Sequence, residues 1–215
     1  MRAAHLCIDV QNDERESAYY DTCRDEWARL EGVIKRMGVG FEKLGIPTLH
    51  VVSCSKSEGQ LIGDLDKVQA KIRWAAHMTF TPCVERPQLA TKNDYSCLTS
   101  KPIHAFLEKN KIDMLILSGV WEAKSAENES ACVTKTAKDF ANQPGKTAII
   151  AAEATNGFHC LYHNAAILTM KQRRALHGQW GVEVKEIEAI YEALERRAER
   201  PAALSSASYL RIAAE

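Results

Sequence analysis

Several features that mark other classes of protein are missing from this sequence. Its 28 basic residues balance 28 acidic ones, and this balance gives no electrostatic reason for binding nucleic acid or an anionic membrane. No apolar run approaches the roughly 18 residues that cross a bilayer, and no cationic start followed by an apolar stretch suggests a signal peptide. We therefore expect a cytoplasmic protein that acts on a small molecule, with neither nucleic acid nor a membrane as partner.

The cysteines lack the arrangement of a metal site or a disulfide framework. There are seven of them, an odd number, and no two form a Cys-x-x-Cys pair. We interpret them as reduced thiols of a cytosolic protein. Internal repeats, low-complexity tracts, a glycine-rich phosphate-binding loop and a Ser-His-Asp arrangement are missing as well.

Apolar strands alternate with amphipathic helices along the chain, and this order predicts the fold class. The predicted strands are 5–10, 48–53, 112–118, 147–152 and 182–187, and the predicted helices are 21–44, 102–109, 163–176 and 188–197. Such alternation predicts an α/β fold, with a parallel, doubly wound sheet between two layers of helices. The segment 54–90 is less clear, with a possible helix at 64–77 and a proline-interrupted connector.

The length and composition indicate how many domains to expect. A chain of 215 residues that is 46% apolar can bury one full core. We therefore expect a single domain over residues 1–200 and a C-terminal tail over 201–215.

Three residues are candidates for chemistry, and each also has an ordinary structural interpretation. Asp9 ends an apolar strand, where open α/β sheets place their active sites, although a turn aspartate is the plainer alternative. Lys92 precedes a polar turn in a connector, where a lysine is usually a solvated surface charge. Cys132 opens a helical segment, where free N–H groups and the helix dipole favour a thiolate, although a lone cysteine there is more often a small buried residue.

Taken together, these residues resemble the isochorismatase-like cysteine hydrolases. The pattern is an aspartate in the first strand, a lysine midway, and a Gly-Val segment leading to Cys-Val-x-x-Thr-Ala-x-Asp, and it runs from about His5 to about Ile190. The resemblance implies a catalytic triad in which Asp9 is the base and acid, Cys132 the nucleophile that forms a thioester with an amide carbonyl, and Lys92 the charge partner. It also leads us to expect a homo-oligomer.

Related nicotinamidases bind a metal through an Asp-x-His pair and a second histidine after the second strand. Here the segment contains a lone histidine, His77, and no such pair. We therefore expect no metal and no other cofactor, and the departure counts against nicotinamide as the substrate.

The spacing before the cysteine also departs from the family. Gly119 and Cys132 are 13 positions apart, about twice the spacing usual in the family, in which a cis peptide in the Gly-Val-x turn and the cysteine N–H form the oxyanion hole. The candidates for the oxyanion hole or for substrate binding are Val120, Trp121, Asn128 and Tyr95. Either Val120-Trp121 or Glu127-Asn128 takes the cis role, or the oxyanion hole is damaged.

We interpret 121–130 as an insertion that forms an ordered lid or a subunit contact. Its charged residues argue against deep burial; they are Glu122, Lys124, Glu127 and Glu129.

The leading prediction is an amidase-type hydrolase that cleaves a small-molecule C–N bond. The alternatives are a catalytically weak binding or interaction protein on the same fold, and an isochorismatase-type hydrolase of an enol ether. For the Cys132 thiol, a helix start and a lysine should lower the pKa, whereas Asp9 opposes this, and the closer neighbour decides the net shift. We expect limiting iodoacetamide near neutral pH to alkylate Cys132 first and the other six cysteines slowly.

Overall fold

A computed structural model describes residues 2–15, 24–120, 122, 131–155 and 169–196. These residues form a seven-stranded sheet in the order β3-β4-β2-β1-β5-β6-β7. The strands are β1 Ala3–Ile8, β2 Thr48–Ser53, β3 Ile62–Asp64, β4 Gln88–Lys92, β5 Met114–Gly119, β6 Thr147–Thr155 and β7 Val182–Lys185. All neighbouring strands pair in parallel except β3, which runs antiparallel to β4.

Helices cover both faces of this sheet. They are α1 Asn12–Arg15, α2 Arg24–Lys43, α3 Leu65–Gln69, α4 Lys101–Lys109, α5 Cys132–Ala141, α6 Met170–Gly178 and α7 at 187–196. Apolar side chains of α2, α3 and α7 form one core with one face of the sheet. Those of α4, α5 and α6 form a second core with the opposite face. The predicted α/β fold with helices on both faces is therefore confirmed.

The order of the strands determines which residues meet at one edge of the sheet. β1 lies between β2 and β5, and β4 pairs with the far side of β2. Because these four strands are parallel, their carboxyl ends lie side by side. The chain leaving β1 therefore lies beside the ends of β2, β4 and β5.

The segment 54–90 differs most from the sequence-based expectation. Lys92 does not lie in a connector but is the last residue of β4, a strand that the prediction missed. The possible helix at 64–77 is a short helix, α3, followed by a single 3-10 turn at Trp74–Ala76. Pro82 and Pro87 interrupt the apolar pattern just before β4, and only pairing with β2 and β3 identifies the strand.

Two of the predictions fall mainly outside the described ranges. The tail at 201–215 lies outside them, and so does the insertion at 121–130 with the exception of Glu122. None of the helices within the described ranges is long and apolar enough to cross a membrane.

Candidate active site

Asp9 lies directly after β1 at the carboxyl edge of the sheet. Its backbone has a φ of 56°, in the left-handed region that non-glycine residues seldom adopt. The Asp9 N–H donates to the carbonyl oxygen of Val51 at 2.8 Å, and the side chain is buried. Aspartate adopts this region more readily than most residues, and Lys111 adopts it as well, so the burial of Asp9 and its contacts, rather than its φ, make it a site candidate.

Gly119, the last residue of β5, allows β5 to pack closely against the backbone of Ile8 at the end of β1. Its φ is 117°, and a Cβ atom here would overlap the backbone of Ile8. The next N–H, that of Val120, donates to the Ile8 carbonyl oxygen at 2.9 Å. The Val120 N–H is therefore occupied and does not provide the free oxyanion donor for which this residue was a candidate.

Lys92 connects the other groups of the site. Its side chain is buried, and its ammonium nitrogen lies 2.9 Å from Asp9 Oδ2, 3.2 Å from Cys132 Sγ and 2.8 Å from Ser53 Oγ. A further hydrogen bond reaches the Asp94 carbonyl oxygen at 3.2 Å. Burial by itself would lower the pKa of Lys92, but the charge of Asp9 and the neighbouring thiols raise it. The lysine is therefore cationic at neutral pH.

Cys132 is the first residue of α5 and is 7% exposed. Because Cys132 begins the helix, its backbone N–H has no hydrogen-bond acceptor within the helix. Burial raises the pKa of the thiol, and Asp9 raises it further through its charge and a hydrogen bond; these effects outweigh Lys92. The sequence left the net shift open between Lys92 and Asp9; in the structure the pKa is raised, because burial and the carboxylate outweigh the lysine.

Ser53 and Gln11 belong to the site although the sequence analysis did not identify them. Ser53 Oγ donates to Asp9 Oδ1 at 3.0 Å and accepts from Lys92. The Gln11 amide holds the Ser53 backbone on both sides, accepting from its N–H at 2.7 Å and donating to its carbonyl oxygen at 3.2 Å. The position of Ser53 at the carboxyl end of β2 was a usable signal, since the same rule identified Asp9.

Of the remaining candidate binding residues, the structure describes Tyr95 but not Trp121 or Asn128. Tyr95 lies three residues after Lys92, and its side chain is 49% exposed, so it is accessible from solvent. Trp121 and Asn128 lie outside the described residues, as do the two peptide bonds that were candidates for the cis role.

The geometry around His77 does not resemble a metal site. His77 Nε2 lies 2.8 Å from the carbonyl oxygen of Gln69, so this ring nitrogen is used in a local hydrogen bond. Within the described ranges, no three His, Cys, Asp or Glu side chains are grouped closely enough to hold a metal ion.

Glu122 contradicts the expectation that the charges of the insertion avoid burial. Its side chain is 1% exposed, forms an ion pair with Arg173 and is hydrogen-bonded to His177 Nε2 at 2.7 Å. Burial alone would raise the pKa of Glu122, but the hydrogen bond from His177 and the charge of Arg173 lower it to about 2. Charged residues are usually exposed unless they are paired. Glu122 is paired with Arg173 and His177 of α6, about 50 residues further along the chain, and no sequence pattern indicated this pairing.

The site thus contains a thiol, a carboxylate and an ammonium group in one buried hydrogen-bonded set. A carboxylate beside a thiol can accept its proton as the sulfur attacks an electrophile. A fixed cation can compensate the negative charge that moves between them.

Comparison with known proteins agrees with this chemistry at the level of the family. A family model described as the isochorismatase domain matches residues 3–178. N-carbamoylsarcosine amidase from Thermoplasma acidophilum has a similar structure, with a TM-score of 0.60 and 17% identity over 87% of this chain and 97% of that chain. For nicotinamidase from Bacillus subtilis the TM-score is 0.56, with 18% identity over 86% of this chain and 100% of that chain.

A third similar structure is a cysteine hydrolase from Pseudomonas syringae, with a TM-score of 0.61 and 15% identity over 91% of this chain and 93% of that chain. At these identities the structural likeness shows the fold alone. None of the curated proteins matches the sequence significantly. The predicted resemblance is confirmed by the family model and by the shared fold.

Proposed function

The chain belongs to the isochorismatase family, and from that premise we propose that it is a cysteine hydrolase that cleaves an amide-type C–N bond in a small molecule. The observation that carries the proposal is the position of Lys92 Nζ, 2.9 Å from the Asp9 carboxylate and 3.2 Å from the Cys132 sulfur. This contact brings together three residues that are far apart in the sequence.

In the proposed reaction, the Cys132 thiol gives its proton to Asp9 as the sulfur attacks the amide carbonyl carbon. The tetrahedral intermediate then loses the amine, which takes the proton from Asp9, and a thioester remains. Water adds to the thioester and gives a proton to Asp9, and loss of the thiolate releases the acid and returns the proton to Cys132. Each step balances without a metal or a redox cofactor.

The raised pKa of the Cys132 thiol suits this order of events. A thiol that stays protonated at rest needs a base at the moment of attack, and Asp9 occupies that place. Lys92 keeps its charge throughout and stabilises whichever of the two anions is present. The N–H of Cys132, at the start of α5, is a suitable donor to the oxyanion.

A panel of small substrates tests the proposal. The panel contains N-carbamoylsarcosine, nicotinamide, simple aliphatic amides and the enol ether isochorismate. We expect ammonia release from at least one amide and its loss in Cys132→Ala, with hydroxylamine trapping the acyl group as a hydroxamate. Cys83→Ala is the matched control, because Cys83 is an exposed thiol and its removal should leave turnover unchanged.

The alternatives give different results in the same panel. Release of pyruvate from the enol ether without hydroxamate formation from any amide would contradict the C–N proposal. Thermal stabilisation by an amide that is never hydrolysed would favour a binding protein on this fold.

We also propose that the protein is a cytoplasmic homo-oligomer whose partner is a small substrate rather than nucleic acid or a membrane. The balance of 28 basic and 28 acidic residues gives no electrostatic reason for binding nucleic acid or an anionic membrane, and the oligomer is proposed from the family resemblance alone. Light scattering during size-exclusion chromatography measures the assembly, and a monomer at all concentrations would contradict it.

A further inference from the structure

Glu122 connects α5 to parts of the fold that the proposed reaction does not use. Its carboxylate is bonded to His177 Nε2 at 2.7 Å, to Arg173 Nε at 3.0 Å and to Thr155 Oγ1 at 3.0 Å. Its main-chain carbonyl oxygen accepts a hydrogen bond from the hydroxyl of Thr134, in the first turn of α5. One residue thus joins α6 and the end of β6 to the turn that contains the cysteine.

The same cluster also holds the end of β6. Arg173 donates to the Ala152 carbonyl oxygen at 3.0 Å and to the Thr155 hydroxyl at 2.5 Å. The ion-paired side chains are 6% exposed or less. The cluster therefore links α6 and the end of β6 to Glu122 and, through the carbonyl oxygen of Glu122, to Thr134 of α5.

Stability alone is a weak explanation for such a cluster. The cost of removing an ion pair from water often equals its Coulombic gain, so apolar residues of similar size usually serve stability as well or better. A bidentate contact between an arginine and a carboxylate instead fixes the relative orientation of the two side chains. Such a contact can hold a neighbouring group in one position.

We propose that Glu122 is a positioning residue for Cys132. Arg173, His177 and Thr155 anchor its carboxylate, and its carbonyl oxygen holds Thr134, two residues after the thiol. The first turn of α5 is thereby kept where Cys132 Sγ lies 3.2 Å from Lys92 Nζ. The inference depends on the proposed function for its catalytic meaning, whereas the position of the thiol can be measured without any substrate.

The decisive variant is Thr134→Val, which removes only the hydrogen bond between α5 and Glu122 and leaves the ion pairs intact. The measurement is the pH dependence of Cys132 labelling by iodoacetamide, followed by mass spectrometry of the Cys132 peptide. We expect the labelling midpoint to fall by about 0.5 pH unit or more towards the ordinary thiol value, because the released thiol gains water and leaves Asp9. With an amide that the wild type hydrolyses, kcat should fall about fivefold or more while KM changes by less than about twofold.

Two further variants make the result interpretable. Thr79→Val is the matched control, since Thr79 Oγ1 is buried without a hydrogen-bond partner within the described residues, and its labelling midpoint should equal that of the wild type. Glu122→Gln should shift the midpoint in the same direction as Thr134→Val. Because it leaves Arg173 buried without its counter-charge, it could also unfold the protein, and circular dichroism checks this.

The proposal is overturned if folded Thr134→Val keeps the midpoint of the wild type and of Thr79→Val. A shifted midpoint together with a fall in kcat supports it. If the wild type hydrolyses no amide, the proposed function fails, and the labelling comparison still decides whether Glu122 positions the thiol.

Discussion

His5 Nε2 lies 2.7 Å from the hydroxyl oxygen of Ser118 across the β1–β5 pair, and both side chains are fully buried. A second buried histidine, His50 on β2, has no hydrogen-bond partner for either ring nitrogen within the described residues. Burial lowers the pKa of His5 to about 3 and that of His50 to about 4. Two neutral histidines therefore form part of the core.

These histidines predict that the folded state loses stability in mild acid. Between the ordinary histidine pKa of about 6.5 and the folded value of His50 of about 4, the unfolded chain binds protons that the folded chain does not. The free energy of unfolding should therefore fall as the pH falls, by about 1.4 kcal/mol per pH unit for each histidine. Urea denaturation in steps from pH 7 to pH 5 measures this slope.

The variant His50→Leu isolates one of the two contributions. It removes the titrating ring without breaking a hydrogen bond, so the average slope between pH 6.5 and pH 5 should decrease by about 1 kcal/mol per unit. His104→Gln is the control, because His104 is largely exposed. Equal slopes in the wild type and His50→Leu would contradict the prediction.

A second prediction concerns Ser53, which bridges Asp9 and Lys92. Ser53→Ala removes the hydrogen bonds at 3.0 Å and 2.8 Å and leaves the ion pair in place. We expect kcat to fall by about tenfold and the free energy of unfolding by about 1 to 2 kcal/mol. The measurements are turnover of the amide identified in the panel and urea denaturation. Ser57→Ala, at an exposed serine of the following loop, should leave both quantities unchanged.

A third prediction uses two glycines that both have positive φ. Gly119→Ala places a methyl group against the backbone of Ile8, whereas Gly145→Ala meets nothing within 4 Å. We expect Gly145→Ala to lower the free energy of unfolding by about 1 to 2 kcal/mol, from backbone strain alone. Gly119→Ala should lower it by about 3 kcal/mol or more, because the strand must also move. Similar urea midpoints for the two variants would show that β5 can shift.

The order in which cysteines react gives a fourth prediction. Cys83 is exposed, while burial raises the pKa of Cys7 and Cys97 to about 12 and also raises that of Cys132. Among the described cysteines, Cys83 should therefore react first with limiting iodoacetamide at neutral pH, which replaces the sequence-based expectation that Cys132 reacts first. Peptide mapping by mass spectrometry measures the order, and Cys132 ahead of Cys83 would mean that Lys92 dominates Asp9 at the thiol.

The sequence by itself determined the layered fold and, from local features, where Asp9 and Cys132 lie in it. The apolar residues of α2 recur at helical spacing and are buried, among them Trp27, Leu30 and Met37. The exit of Asp9 from a strand and the start of α5 at Cys132 are equally local features. Neighbouring residues determine such features, so a pattern of period two or 3.6 reveals them.

Only the tertiary structure decided that Lys92 ends a buried strand and that Glu122 is buried. Lys92 ends a strand only because β4 pairs with β2 and β3, and Glu122 is buried only because Arg173 and His177 reach it from α6. The direction of the pKa shift at Cys132 was decided in the same way. It results from burial of the thiol and from the opposing charges of Asp9 and Lys92. The effect of each charge on the pKa depends on its distance from the sulfur and on how far water is excluded, and a sequence pattern reveals neither.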